Sequence, residues 1–233
     1  MCLNFYIYTN TDNMQTSTTE DYLKAIFKLS GIHKKGVSTN SIAEELSTKA
    51  SSVSDMVKKL SEKKLVDYVK YQGTTLTKEG ANIALKVIRK HRLWEVFLVE
   101  KLKFGWDEIH EIAEQLEHIK SPKLIDKLDA HLGFPKKDPH GDPIPDKNGL
   151  FPTIKKLKLN ELKIGEKAIL TGVSEDSKDF LSYLDTIGLK LGSSIEVLDY
   201  FKFDKSLKVK INNRSDLTFS DLVANNLNIS KEN

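Results

Sequence analysis

Cysteine is nearly missing from this chain: Cys2 is the only one in 233 residues, accompanied by three methionines. One thiol excludes a disulfide framework and a thiolate zinc cluster, and it suits a reducing cytoplasm, the expected location. No stretch approaches the ~18 consecutive apolar residues of a membrane span, so no membrane partner is expected. The first thirteen residues, MCLNFYIYTNTDN, lack the basic leader and small-residue cleavage pattern of a signal peptide. Met14 follows at once, and residues 1–16 are read as a disordered or mis-started tail. Neither a glycine-rich phosphate loop nor a nucleophile–base constellation is present, which argues against an enzyme. The excess of one charge is small, +3 overall. It permits nucleic-acid binding and argues for it only where the basic residues cluster.

What is present is an ordinary globular balance, 30% charged and 39% hydrophobic. Tyr22, Leu23, Ile26, Phe27 and Leu29 recur at helical spacing from Thr19, with Thr18 or Thr19 as the cap. A short helix, TNSIAEEL, a polar turn, STKAS, and a third helix, SSVSDMVKKLSEKKLV, follow. Alternation in DYVKYQGTTLTKEG around Gln72-Gly73 predicts a β-hairpin. Helix, helix–turn–helix and hairpin is the order of a winged helix, whose third helix enters the major groove. Residues 48–64 carry five lysines (49, 58, 59, 63, 64) against two acids, Asp55 and Glu62, on the element that faces phosphates in that architecture. Ser51, Ser52 and Ser54 in the first turn are short enough for close approach to DNA. A solvated lysine face is the alternative.

Three further helical segments, from Lys78 to about Lys103, Trp106–Ile119 and from Pro122, carry more apolar residues than one winged helix covers; a homodimer interface is the natural use for them. Five of six prolines (135, 139, 143, 145, 152) then mark a loop. Beyond it, EKAILTGV, SSIEVLDY and SLKVKIN read as strands, interrupted by one helix, DSKDFLSYLDTIGL. This gives a mainly α protein with a small β domain, a half-open barrel.

On a helix, His110, Glu114, Glu117 and His118 fall at about 0°, 40°, −20° and 80°. One face thus offers four donors, and His91 and Glu95 make an i, i+4 pair on the preceding helix, the geometry of helical metal sites. The alternative is a solvated Glu/His face. The HE at 110–111 is not a zinc-protease motif, because position 114 is Glu.

The order of a winged helix, then TTEDYLKAI within its first helix, RKHRLWEVFL, EIHEIAEQLEH, DPHGDPIP and a small β domain resembles the diphtheria toxin repressor / manganese transport regulator family. These are metal-activated transcription repressors, and the likeness covers about residues 16–229. It implies a winged helix-turn-helix over 17–85, a helical metal-binding and dimerisation domain over 86–147, a linker at 148–153 and an SH3-like domain, related to ferrous-transport accessory modules, over 154–233. It implies a primary metal site of Asp21, Glu114, Glu117 and His118. A second site follows from His91, Glu95 and His110, with His140 and Asp138 from the DPHG loop and Asp176 and Asp179, or Glu175 as a rival, from the third domain. Lys24 stands where shorter manganese regulators carry a carboxylate, which disfavours a pair of ions sharing that position.

Iron-responsive relatives place Met and Cys at the positions of Asp21 and Glu114. Hard oxygen donors here point to Mn²⁺ as the cofactor, with Fe²⁺ as the alternative. The implied function is a metal-activated dimeric repressor on palindromic operators of metal-uptake genes, with Ser51, Ser52 and Asp55 facing bases and Thr48, Lys49, Ser54 and Lys58 facing phosphates. No small organic substrate is expected. A winged-helix regulator sensing an organic ligand is the rival reading; operator binding indifferent to chelator distinguishes it.

Overall fold

The structure, a computed structural model, describes residues 16–31, 36–69, 72–153, 157–175 and 177–231. It divides into two compact units, Met1–Ala84 and Leu85–Asn233, with the boundary inside one long helix. Among the described residues, no helix is long and apolar enough to cross a membrane.

The first unit is built on α1 (Ser17–Ser30), α2 (Thr39–Glu45) and α3 (Ala50–Glu62). Helix α1 starts two residues before the expected Thr19 because the Thr16 hydroxyl caps it, accepting from the Thr19 N–H at 3.3 Å, while Thr19 itself is buried. Ser38 caps α2 in the same way. Helix α3 stops at Glu62 instead of continuing to Val66, because Lys64 adopts a left-handed φ of 58° and turns the chain into a strand. That strand, β1 (Val66–Val69), pairs antiparallel with β2 (Gly73–Leu76), Val66 opposite Leu76 and Val69 opposite Gly73. Val37 exchanges two backbone hydrogen bonds with Thr74, adding a third short extended segment to the wing. Val53, Val57 and Leu60, at i, i+4 and i+7, turn one face of α3 into a core with Leu23, Ile26, Ile42 and Val66. The opposite face is thereby committed to solvent.

The long helix α4 (Lys78–Glu100) is opened by Thr77, whose hydroxyl accepts from Gly80 N–H. In the second unit it packs with α5 (Ile109–Leu116) and α6 (Pro122–His131), the latter with Pro122 in the first turn and Ser121 as cap. Leu93, Val96, Ile125, Leu128 and Ile144 form one small core, and Leu98, Ile109 and Ala113 another. Helix α5 is shorter than expected from periodicity: Trp106 lies outside it, with its indole in the core of the β structure that follows.

That β structure comprises β3 (Leu157–Lys158), a single 3-10 turn (Leu159–Glu161), β4 (Lys167–Val173), α7 (Lys178–Thr186), β5 (Ser194–Phe201), β6 (Ser206–Ile211), β7 (Ser215–Phe219), α8 (Asp221–Asn226) and β8 (Leu227–Lys231). The strands form one antiparallel sheet in the order β3-β8-β4-β5-β6-β7, open at β3 and β7, and consistent with the SH3-like domain expected. Sequence patterning found β4, α7, β5 and β6. It missed β7, α8 and β8, where Asp, Ser and Asn interrupt the alternation and a two-turn helix runs straight into a strand.

Candidate metal centre and nucleic-acid interface

Helix α4 projects His91 and Glu95 from successive turns into the second unit, and both are buried. Three imidazoles converge on one oxygen. Glu95 Oε1 lies 3.0 Å from His91 Nε2, 3.7 Å from His140 Nδ1 and 3.8 Å from His110 Nδ1. Two sets result, His91–Glu95–His110 and Glu95–Asp138–His140, each with its donor atoms within 4.8 Å of one another. Metal–ligand bonds of about 2.0–2.6 Å put neighbouring donors roughly 3–4 Å apart, so both sets are of a size to hold an ion.

The loop bearing Asp138 and His140 is held to α4 by two arginines. Arg92 Nε lies 3.3 Å from Asp138 Oδ2, and its Nη groups donate to Asp142 Oδ2 at 3.2 Å and the Pro143 carbonyl at 2.5 Å. Arg89 donates to Asp129 at 2.6 Å and to the Pro145 carbonyl at 2.8 Å. Asp138 Oδ1 accepts from the N–H groups of His140 and Asp142, each at 2.9 Å, which tightens the turn. Reasoning on the sequence overlooked Arg89 and Arg92. The signal was in the chain: two arginines three apart in RKHRL, and acids at 138, 142 and 146 in a proline-rich loop whose carbonyls need donors.

The electrostatics are those of a cation site. Burial, then the nearby Glu95 and Asp142 carboxylates, push the Asp138 carboxyl up to about 7, against the opposing pull of Arg92 and His140. Burial works against the Glu95 charge too, but hydrogen bonds from His110 and His91 outweigh it and hold its carboxyl well below the usual range. Hydrogen bonds to Glu114 and then Glu95 raise His110 to about 10. Buried carboxylates crowd together here with protons and one guanidinium as their counter-charge. A divalent cation fits this set. No cysteine or methionine occurs after Met56, so every side-chain donor available to it is nitrogen or oxygen.

The other expected ligands distribute as follows. Glu117 caps the C-terminal end of α5, has no exposed surface, and accepts from His91 Nδ1 at 2.6 Å. Its Oε1 lies 3.9 Å from Nε2 of the half-buried His118. Glu114 is exposed and lies 3.4 Å from His110 Nε2. Asp21 is half-buried on α1 of the first unit. Asp179 is exposed in the first turn of α7 and belongs to neither Glu95-centred set; its rival Glu175 is exposed and caps Ser177 N–H. Asp176 lies outside the described residues.

Ser51, Ser52, Asp55 and Lys58 on α3 are exposed, as are Thr48 and Lys49 just before it. The helix N-terminus has no side-chain cap at Lys49, so its first N–H groups remain available to an anion. Ser54 is half-buried and its hydroxyl donates to the Ala50 carbonyl at 2.9 Å. Asp55 lies 3.8 Å from Lys58.

An uncapped helix on a winged-helix scaffold, in a chain that also carries a buried histidine–carboxylate centre, defines a metal-responsive DNA-binding protein. Comparison with known proteins agrees. Residues 14–74 match the iron dependent repressor N-terminal DNA binding domain, 77–146 the iron dependent repressor metal binding and dimerisation domain, and 157–231 the FeoA domain. The chain is 36% identical to the HTH-type transcriptional regulator MntR of Oceanobacillus iheyensis over 54% of its own length and 84% of that protein. It is 34% identical to the iron-dependent repressor IdeR of Mycobacterium tuberculosis over 57% of each chain. A solved manganese-dependent transcriptional repressor in complex with manganese superposes with a TM-score of 0.79 at 36% identity, covering 92% of this chain and all of that one. The chain belongs to the diphtheria toxin repressor / manganese transport regulator family of metal-dependent transcriptional repressors. That family is one of DNA-binding, dimerising regulators and not of enzymes.

Proposed function

We propose that this protein is a manganese-activated dimeric repressor of metal-uptake genes, acting in the cytoplasm on palindromic operators. The observation that carries the metal choice is the donor set: imidazoles and carboxylates, with no sulfur available after Met56. Oxygen-rich sites suit Mn²⁺, whereas thiolate and thioether donors favour softer ions. The solved relative that holds manganese supports this reading. Fe²⁺ is the alternative, favoured by the likeness to iron-dependent repressors.

On the family resemblance we assign Asp21, Glu114, Glu117 and His118 as the primary donors. The second centre is His91, Glu95, His110, Asp138 and His140, with Asp176 and Asp179 as the third-domain donors that the resemblance adds. We take residues 17–85 as the reading head, 86–147 as the dimerising body and 154–233 as the third domain, linked through 148–153. A bound divalent ion supplies the positive charge that lets these carboxylates sit together. The residues themselves do the rest. Ser51, Ser52 and Asp55 on the exposed face of α3 read base edges; Thr48, Lys49 and Lys58 neutralise phosphates. Metal tightens operator binding only by its preference for the DNA-competent arrangement, and operator tightens metal binding by the same factor.

The test is an operator mobility shift with the purified protein across Mn²⁺, anaerobic Fe²⁺ and chelator, repeated with Glu117→Ala. The expected result is retardation with Mn²⁺, none with chelator, and loss of the response in the variant. A variant as responsive as its parent defeats the site assignment, and a stronger response to Fe²⁺ at equal free concentration defeats the metal assignment.

A further inference from the structure

Trp106 belongs by sequence to the turn before α5, but its indole is buried in the core of the β structure with Leu181 and Leu184 of α7. Its Nε1–H donates to Asp185 Oδ2 at 3.2 Å. The same residue touches the metal centre from its other side. Its backbone carbonyl lies 2.9 Å from His140 Nε2, and the two rings stack with centroids 6.4 Å apart and planes inclined by 25°. A carbonyl can only accept, so the imidazole proton resides on Nε2. With Nε2 engaged in this way, Nδ1 is the nitrogen left to ligate an ion, and it is the atom facing Glu95 Oε1 at 3.7 Å. A metal-binding histidine is commonly oriented this way, by donating its second nitrogen to a carbonyl.

A second fastening holds the other side of the loop. The His140 carbonyl accepts from Val173 N–H of β4 at 2.7 Å. Gly141 and Gly172 meet backbone to backbone: a Cβ on Gly172 lies 2.5 Å from the His140 carbonyl oxygen and 2.7 Å from Gly141 Cα. The register of β4 against β8 shifts between Leu170 and Gly172, at the place where the loop docks.

We infer that the β domain sets the tautomer and direction of His140, by gripping Trp106 at one end and seating the His140–Gly141 peptide against Gly172 at the other. Trp106 and Gly172 are thus positioning residues for a metal ligand. This rests on the reading of Glu95, Asp138 and His140 as a metal set. The third domain then contributes to metal affinity by orienting a ligand, and by reciprocity an ion on His140 strengthens the domain's hold on the body.

The test uses the full chain with Mn²⁺ as the probe. Free Mn²⁺ is counted by electron paramagnetic resonance, and Trp106 emission is followed in a Trp94→Phe background, where it is the one remaining tryptophan. His140→Ala identifies the ion held by this set: it should abolish one binding event and the Mn²⁺ quenching of Trp106. Gly172→Ala should weaken that event by about tenfold or more, the usual effect of disturbing a group that orients a ligand, while the remaining ion binds as in the parent. Trp106→Phe keeps the carbonyl and the ring packing and should lose less than Gly172→Ala. If His140→Ala changes neither count nor quenching, the metal reading of this set fails. If His140→Ala loses the ion but Gly172→Ala binds it with parental affinity, the metal reading stands and the positioning role is overturned. Parallel weakening of every Mn²⁺ site in Gly172→Ala and Trp106→Phe also overturns it, by marking a general loss of fold.

Discussion

His91 Nδ1 lies 2.6 Å from Oε2 of Glu117, a carboxylate with no exposed surface, while the other nitrogen of the same ring lies 3.0 Å from Glu95. One imidazole therefore satisfies carboxylates assigned to both centres. His91→Ala leaves two buried acids short of a donor. Glu95 keeps His110 and His140 nearby and Glu117 keeps His118, so the cost is that of one lost charge-assisted hydrogen bond to each, about 1–3 kcal/mol. Thermal unfolding of the metal-free variant should show that loss, and Mn²⁺ titration should show weakening at both centres, not at one.

Arg92 should not be replaceable by lysine. Its guanidinium reaches Asp138, Asp142 and the Pro143 carbonyl at once, and an ammonium cannot span the three. Arg92→Lys is expected to lower Mn²⁺ affinity at the His140 set by about tenfold, as ligand-supporting substitutions do. Calorimetric titration checks this; an unchanged affinity means the loop is held without the fork.

The pH response of the metal-free protein and that of the increment added by Mn²⁺ should have opposite signs. His110, raised to about 10 from an ordinary 6.5, stabilises the metal-free fold below pH 6.5 and loses that contribution as pH rises through 10. Asp138, raised to about 7 from 3.8, adds a penalty that grows as pH rises from 3.8 and is complete above 7. The depressed Glu95 carboxyl changes its contribution only below its ordinary 4.5. The melting temperature in chelator should therefore fall between pH 5 and 9 from these groups, while the increment added by Mn²⁺ grows, because binding displaces their protons. A Mn²⁺ increment flat across that range contradicts the involvement of His110 and Asp138.

Lys49 is exposed at the uncapped start of α3. Lys49→Ala should weaken specific and non-specific DNA alike and reduce the slope of log affinity against log salt by about 1. Ser52→Ala should instead relax sequence preference with the slope intact. Fluorescence anisotropy at several salt concentrations separates the two.

Much of this was legible in the chain because the informative patterns are local. Helical spacing exposed α1, α4 and α6, and the i, i+4 pair of His91 and Glu95 lies on one face of one helix. The convergence of His110 and His140 on Glu95 spans up to 45 residues of sequence, and no local rule announces it. Helical spacing had put His110 on a donor face and resemblance nominated His140; the arginine fork and the burial of Trp106 in a distant core came only with tertiary structure. Ser54 shows the converse limit. Its hydroxyl suits phosphate by residue type, but on a helix it can bond back to the carbonyl four residues earlier, and it does.

Strand β8 lies between β3 and β4, so β3 joins the sheet only through residues 227–231. During synthesis the reading head, which lies wholly before the sheet in the chain, can finish folding while the sheet still waits for β8, the strand between β3 and β4. A chain interrupted before that point would hold operator-reading surface with no completed seat for His140, and so a DNA-binding fragment deaf to part of its signal.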